Sequence, residues 1–128
     1  MRMYEDGQFL AETGISNVGN ITTGNDLFFG VDVDLDYDYS GSLSEVRIWN
    51  KVISDEEIMD HACAKVDNSH PSYSNLIGYW RLDEGAGTLT EDQTTNGNDG
   101  IIHGAVWYDP DTIWTYCLLY TSPSPRDS

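Results

Sequence analysis

Two consecutive stretches of the chain alternate with a period of two, and that rhythm decides the fold class. From Val31 to Tyr39 the alternation is strict: Val31, Val33, Leu35, Tyr37 and Tyr39 fall on one face, and Asp32, Asp34, Asp36 and Asp38 on the other. After Ser40-Gly41, the run from Leu43 to Trp49 alternates again, with Leu43, Glu45, Arg47 and Trp49 opposite Ser44, Val46, Ile48 and Asn50. Side chains on a strand point to opposite faces in turn, so both stretches predict half-buried strands.

The rest of the chain agrees with an all-β reading. Residues 3–12 read as a hairpin around the two-residue turn signal Asp6-Gly7. Residues 13–26 are a polar loop, and Leu27-Phe28-Phe29-Gly30 opens the next strand. Leu76 to Leu82 and Ile101 to Tyr108 are further strands, separated by a loop over 83–100 rich in Asp, Gly, Thr and Asn. One segment breaks the period. Ser54-Asp55-Glu56-Glu57 is a capping box, and it predicts a short helix to about Lys65 with Ile58 and Ala62 on its buried face. Residues 67–75 follow as a linker or crossover loop.

Composition narrows the function classes. The 128 residues leave room for one domain, and an apolar content of 39% permits a core. Twelve Gly, four Trp and eight Tyr suit a turn-rich β domain. Six basic residues face 22 acidic ones, a net charge of −16, which repels nucleic acid and anionic membrane and attracts cations such as Ca²⁺. No apolar run approaches the roughly 20 residues of a membrane helix, and no signal-type apolar stretch follows Met1-Arg2-Met3-Tyr4. Cys63 and Cys117 are able to pair, but two cysteines make no disulfide framework. The tail from 117 to 128, with Pro123 and Pro125, does not follow the strand pattern. It reads as a non-native segment, the translation of an adapter or assembly artefact, or else as an ordinary disordered terminus.

Two motif-bearing stretches carry a family resemblance. The first runs from Tyr4-Glu-Asp-Gly-Gln8 through Leu27-Phe-Phe-Gly30 to Tyr39-Ser-Gly-Ser-Leu-Ser-Glu-Val-Arg-Ile-Trp-Asn-Lys-Val-Ile-Ser-Asp-Glu-Glu-Ile58. The second is Leu76-Ile-Gly-Tyr-Trp-Arg-Leu-Asp-Glu-Gly-Ala-Gly-Thr88, continuing through Asp92 and Asn96-Gly-Asn-Asp-Gly100 to Gly104-Ala-Val-Trp107. Together they resemble the laminin-G-like, concanavalin A-like jelly-roll modules of secreted and surface proteins. Ser44-Glu45 stands where those modules commonly carry Asp-Glu. The resemblance implies an all-β, concanavalin-like antiparallel β-sandwich (jelly roll) with one short helix. The sandwich is expected to be incomplete, because a whole module is longer than this chain: residues 1–66 as its C-terminal part, 67–75 as a crossover loop, and 76–116 as its final segment or the start of the next. Missing strands would leave edges and apolar faces exposed.

Two acidic clusters are candidate Ca²⁺ sites. On a strand, the four aspartates of the comb would stand about 6.6 Å apart and repel one another. Asp36-Tyr-Asp38-Tyr-Ser40-Gly41 also fits the opening of a calcium loop, but the twelfth position is Arg47 rather than a bidentate Glu. A solvated strand face that also discourages edge pairing is the favoured explanation of the comb. In the second cluster, Asp92, Asn96 and Asn98 place oxygen ligands around tight turns, and ordinary turn chemistry is the alternative. The resemblance favours a structural Ca²⁺ there.

Aromatic residues supply the candidate sugar contacts. Trp49 and Trp80 lie on strands and are expected in the core. Trp107 and Tyr108, at a strand end beside a loop, are the candidate carbohydrate-binding pair. Catalysis is not expected, and no catalytic residue is assigned. Asp32 and Asp36 would lie about 13 Å apart along a strand, whereas retaining glycoside hydrolysis needs about 5–5.5 Å. His61, His70 and His103 show no ligand spacing. The expected function is a non-catalytic carbohydrate-binding or adhesion module of a larger extracellular or surface protein, with a glycan or an extracellular protein as partner. The alternative is a structural spacer or interaction module without a glycan site.

Overall fold

The computed structural model describes residues 1–5, 8–14, 24–31 and 34–108. The Asp6-Gly7 turn, Asp32, Val33, Cys117 and the 117–128 tail lie outside the described residues.

The chain folds into short strands and one helix. In order these are β1 (Arg2–Glu5), β2 (Gln8–Glu12), β3 (Val46–Trp49), α1 (Asp55–His61), one turn of 3₁₀ helix (Tyr73–Asn75), β4 (Leu76–Trp80), β5 (Leu89–Thr90) and β6 (Gly100–Ile101). Each sheet is a two-stranded antiparallel pair: β1 with β2, β3 with β4, and β5 with β6. The all-β class with one short helix is therefore observed, while the two stacked sheets of a sandwich are not among the described residues. Large apolar side chains accordingly stay exposed, among them Phe9, Leu10, Leu27, Phe28 and Leu35.

The described residues of the 31–39 segment, Val31 and 34–39, form no strand. The segment folds back on itself, with a Val31–Asp38 bridge and the Tyr39 amide bonded to the Gly30 carbonyl at 2.7 Å. Leu35 takes a left-handed backbone, φ 61°. The reversal has a physical reason. An extended comb would line up its carboxylates on one face, and among the described residues no neighbouring strand receives the apolar face. Leu35, Tyr37 and Tyr39 are exposed as a result. Asp34, Asp36 and Asp38 are exposed as well. Residues 27–29, expected to open a strand, are also outside any ladder.

Other boundaries contract. The strand expected from Leu43 begins only at Val46, because Glu45 is left-handed at φ 54°. The one expected to reach Leu82 ends at Trp80, and Leu82 is left-handed at φ 57°. The 101–108 strand is reduced to Gly100–Ile101, and Gly104 turns the chain at φ 74°. The capping box forms as expected. Ser54 Oγ accepts from the Glu57 amide and Glu57 Oε2 from the Ser54 amide. The helix stops at His61 rather than near Lys65. Ile58 is half-buried, while Ala62 lies beyond the helix and is exposed.

The two motif stretches meet in one sheet. β3 and β4 pair in the register Val46–Trp80, Arg47–Tyr79 and Ile48–Gly78. On its other side, β4 is bridged from Trp80 to Asp92, and the Gln93 amide donates to the Tyr79 carbonyl at 2.8 Å. β4 is thus central and buried, and it supplies the core of Leu76 and Tyr79 with Val66, against which Trp49 packs. Trp80 is buried too, as its strand position predicts. Its ring lies over Gly78, where a Cβ would come within 2.5 Å of Trp80 Cη2. Only glycine leaves room for that ring.

Candidate functional site

Arg47 and Tyr79, partners in the β3–β4 register, build the floor of the candidate site. Arg47 Nη1 donates to the His61 carbonyl at 3.0 Å, and Nη2 donates to the Ala64 carbonyl and to Glu45 Oε2. A cation on the last carbonyls of a helix meets its negative dipole end, so the motif arginine caps α1. Tyr79 is 1% exposed. Its hydroxyl donates to Glu45 Oε2 and accepts from the Val66 amide at 3.2 Å. The guanidinium groups of Arg47 and Arg81 lie 5.5 and 5.6 Å from the Tyr79 ring centre. Burial, and then the bond to Glu45, push the phenol above its usual pKa.

A polar groove of about 360 Å³ opens beside this floor. Val66, Asp67, Asn68, Tyr73, Tyr79, Arg81 and Gln93 line it. Tyr73 offers an aromatic surface, 40% exposed. Asn68 and Gln93 carry side-chain amides that both donate and accept, Asp67 accepts, and Arg81 donates. Two segments position these groups. Gln93 is fixed by its ladder bond to β4. Asp67, Asn68 and Tyr73 belong to the 67–75 segment, which is a built wall rather than a plain linker. In it the His70 amide donates to the Asp67 carbonyl (3.1 Å), the Tyr73 amide to the His70 carbonyl (3.0 Å) and the Asn75 amide to the Ser72 carbonyl (2.8 Å). His70 and Ser72 are buried within it.

Behind this wall the structure joins two histidines that their sequence spacing leaves apart. The His61 and His70 rings pack against each other with centres 4.2 Å apart and planes tilted by 54°, and Trp49 lies 4.7 Å from His70 on another side. Ser72 Oγ donates to Glu57 Oε1 and accepts from Lys51 Nζ at 3.1 Å. The Ser72 hydroxyl, then the Ser54 amide, hold the Glu57 carboxyl down to about 2.

The expected metal-ligand residues fall into two places. Asp92, Asn96 and Asn98 are brought together beside β4. The Asp92 carboxylate is buried and receives the amides of Tyr79, Thr94 and Asn98 and the Thr94 hydroxyl, at 2.9–3.1 Å. Burial opposes its ionisation, but the amide donors win and hold its pKa below the usual value. Asn96 Nδ2 donates to the Ile77 carbonyl, and the Asn98 carbonyl accepts from Trp80 Nε1 at 2.8 Å. In this arrangement Asp92, Asn96 and Asn98 tie the loop to β4. Asp36 and Asp38 sit on the folded-back 31–38 segment instead. Among the described residues, no group of three or more His, Cys, Asp or Glu is arranged to hold a metal ion.

The expected sugar contacts fall elsewhere as well. Trp107 is half-buried, with Nε1 donating to the Gly87 carbonyl at 2.8 Å, and Tyr108 is exposed; neither lines the groove. Sequence reasoning missed Tyr73, Asn68, Arg81 and Gln93. Tyr73 is the one with a signal: an aromatic residue in a stretch otherwise read as linker.

Among the described residues, no helix is long and apolar enough to cross a membrane. No curated protein and no solved structure gives a significant match to the chain. The family match ends at Met59, before the second motif stretch begins. Residues 1–59 match the family model of the concanavalin A-like lectin/glucanases superfamily, of laminin G type, as a partial domain of it.

Proposed function

We propose that the chain is a non-catalytic carbohydrate-binding or adhesion module of an extracellular protein, and that it holds a saccharide in the groove between Tyr73 and Gln93. One observation carries the reading: a half-exposed aromatic ring shares a single groove with Asp67, Asn68, Gln93 and Arg81. Sugars present C–H faces that pack on aromatic rings and hydroxyls that pair with amides and carboxylates. The family match of residues 1–59 supports the same class of module. The saccharide would be a neutral one, since Asp67 in the groove and the net charge of −16 both oppose an anionic ligand.

A structural Ca²⁺ belongs to this reading as a separate element, with the exposed Asp36 and Asp38 as its remaining ligand candidates. Asp92 is the weaker candidate, because protein donors already occupy its carboxylate. The second reading, a protein-interaction module, draws on the exposed apolar side chains of Phe9, Leu10, Leu27 and Phe28.

A glycan array probed with the full chain and with Tyr73→Ala, each in calcium and in EDTA, tests the proposal. Binding by the wild type that is lost in Tyr73→Ala supports the groove. Equal binding by both proteins removes the groove from the account. Absence of binding by a folded wild type favours the interaction module. A difference between the calcium and EDTA arms reports on the metal alone.

A further inference from the structure

The buried imidazole behind the groove wall is held by a bond that only its neutral form can make. The Ser72 amide donates to His70 Nδ1 at 3.0 Å. An amide N–H has no acceptor role, so Nδ1 must present its lone pair and the proton must sit on Nε2. Protonating Nδ1 would set two donors against each other inside a site that is 4% exposed. The ring lies against His61 on one side and Trp49 on another.

The charges around the ring also oppose a cation. His61 and Glu57 face it from α1, Arg47 from β3 and Lys51 from the turn after β3. Glu57 is the one anion of that set, and both its oxygens are occupied, one by the Ser72 hydroxyl and the other by the Ser54 amide. His61 is anchored through Nδ1 to the Glu57 carbonyl at 3.0 Å, a contact in which the carbonyl accepts. Burial first, then the His61 charge, push the His70 pKa down from its ordinary value.

We propose that His70 is an acid-sensitive latch on the groove: its protonation breaks the Ser72 N–H···Nδ1 bond, frees the 67–73 wall that carries Asp67, Asn68 and Tyr73, and so releases the bound ligand as the pH falls. The latch itself stands on the geometry of His70. Ligand release rests on the saccharide reading given above.

The sign follows from linkage. The unfolded chain binds a proton at His70 near pH 6.5 and the latched state does not, so the latch contributes fully above that pH and is lost as the pH falls below it. One such proton changes the latched-to-open ratio by at most about tenfold per pH unit, between that point and the lowered pKa of the latched state.

The test compares the full-length wild type with His70→Asn between pH 7.5 and 5.0, a window that lies above the carboxylate titrations. The asparagine Oδ1 can accept from the Ser72 amide and does not titrate. The first readout is amide hydrogen exchange at Ser72 and Tyr73, corrected for the intrinsic pH dependence of exchange. Wild-type protection is expected to hold from pH 7.5 to about 6.5 and then to fall, with a limiting slope of about tenfold per pH unit, while that of His70→Asn stays level. The second is the ¹⁵N shift of His70 Nδ1, expected to report an unprotonated nitrogen at pH 7. Equal pH dependence in the two proteins, or a protonated Nδ1 at pH 7, would overturn the latch. A His61→Gln variant that retains the wild-type pH dependence supports His70 as the titrating group, and one that abolishes it would overturn that assignment. Both readouts are taken without ligand, so failure of the saccharide reading, seen as no binding at any pH, remains distinguishable.

Discussion

The Tyr79 hydroxyl donates to the Glu45 carboxylate, joining the second motif stretch to the residue just before β3 in the first. The same carboxylate receives Arg47, and Arg47 caps α1. A β-strand pair, a helix end and the floor of the groove therefore share one hydrogen-bonded centre.

Tyr79→Phe keeps the ring and removes the hydroxyl. It strands the Val66 amide and leaves Glu45 with Arg47 alone. The expected cost is about 1–3 kcal/mol, read from denaturant unfolding. A change inside experimental error would show that water or a neighbouring group replaces the hydroxyl.

Asp92→Asn should be more damaging than its size suggests. The carboxylate accepts from three backbone amides, and an amide side chain presents a donor to some of them. A loss of ~1–3 kcal/mol for each stranded donor is expected. Because the folded pKa is depressed, the Asp92 contribution is present above the unfolded value near 3.9 and is lost as the pH falls through the folded one. A melt series from pH 6 to 2 should show a shallower acid limb in Asp92→Asn than in the wild type.

Gly78→Ala tests the close approach of the Trp80 ring. A methyl placed 2.5 Å from Cη2 must displace an indole whose Nε1 is held by the Asn98 carbonyl. Overpacking of this kind costs about 1–3 kcal/mol. Trp80 fluorescence should shift along with the melting temperature.

Ser54→Ala removes the hydroxyl that accepts from the Glu57 amide, half of the capping box, and leaves the Ser54 amide donating to Glu57 Oε2. The expected loss is ~1 kcal/mol of stability. The Glu57 carboxyl keeps its two main donors, the Ser72 hydroxyl and the Ser54 amide, so its titration should stay near 2 while the stability falls, and NMR would follow it directly. A Glu57 titration that rises toward its ordinary value would mean that losing the cap also releases the carboxyl from those donors.

Local chemistry was legible in the sequence and long-range contacts were not. The Ser54–Glu57 box, the hairpin partners of β1 and β2, and the buried place of Trp80 follow from signals spanning a few residues. The 31–39 segment shows the limit of such signals. Its alternation is compatible with a strand, but a strand also needs a partner ladder, and no described strand pairs with this segment beyond its own Val31–Asp38 bridge. Asp92 stands out in the sequence by its turn-rich surroundings, but the partners of its carboxylate in the structure were not legible there. Its neighbours Thr94 and Asn98 are local, but the Tyr79 amide comes from another strand. The His61–His70 contact and the groove depend on how the chain after α1 returns to β4, which no residue spacing encodes.

The most direct test of the account is an amide chemical-shift titration of the full chain with neutral hexoses, watching Asn68, Tyr73 and Gln93 together with the Trp107 indole. The account predicts saturable shifts at the three groove residues and none at Trp107. Shifts confined to Trp107 and Tyr108, or no saturable shift from a folded sample, would contradict it.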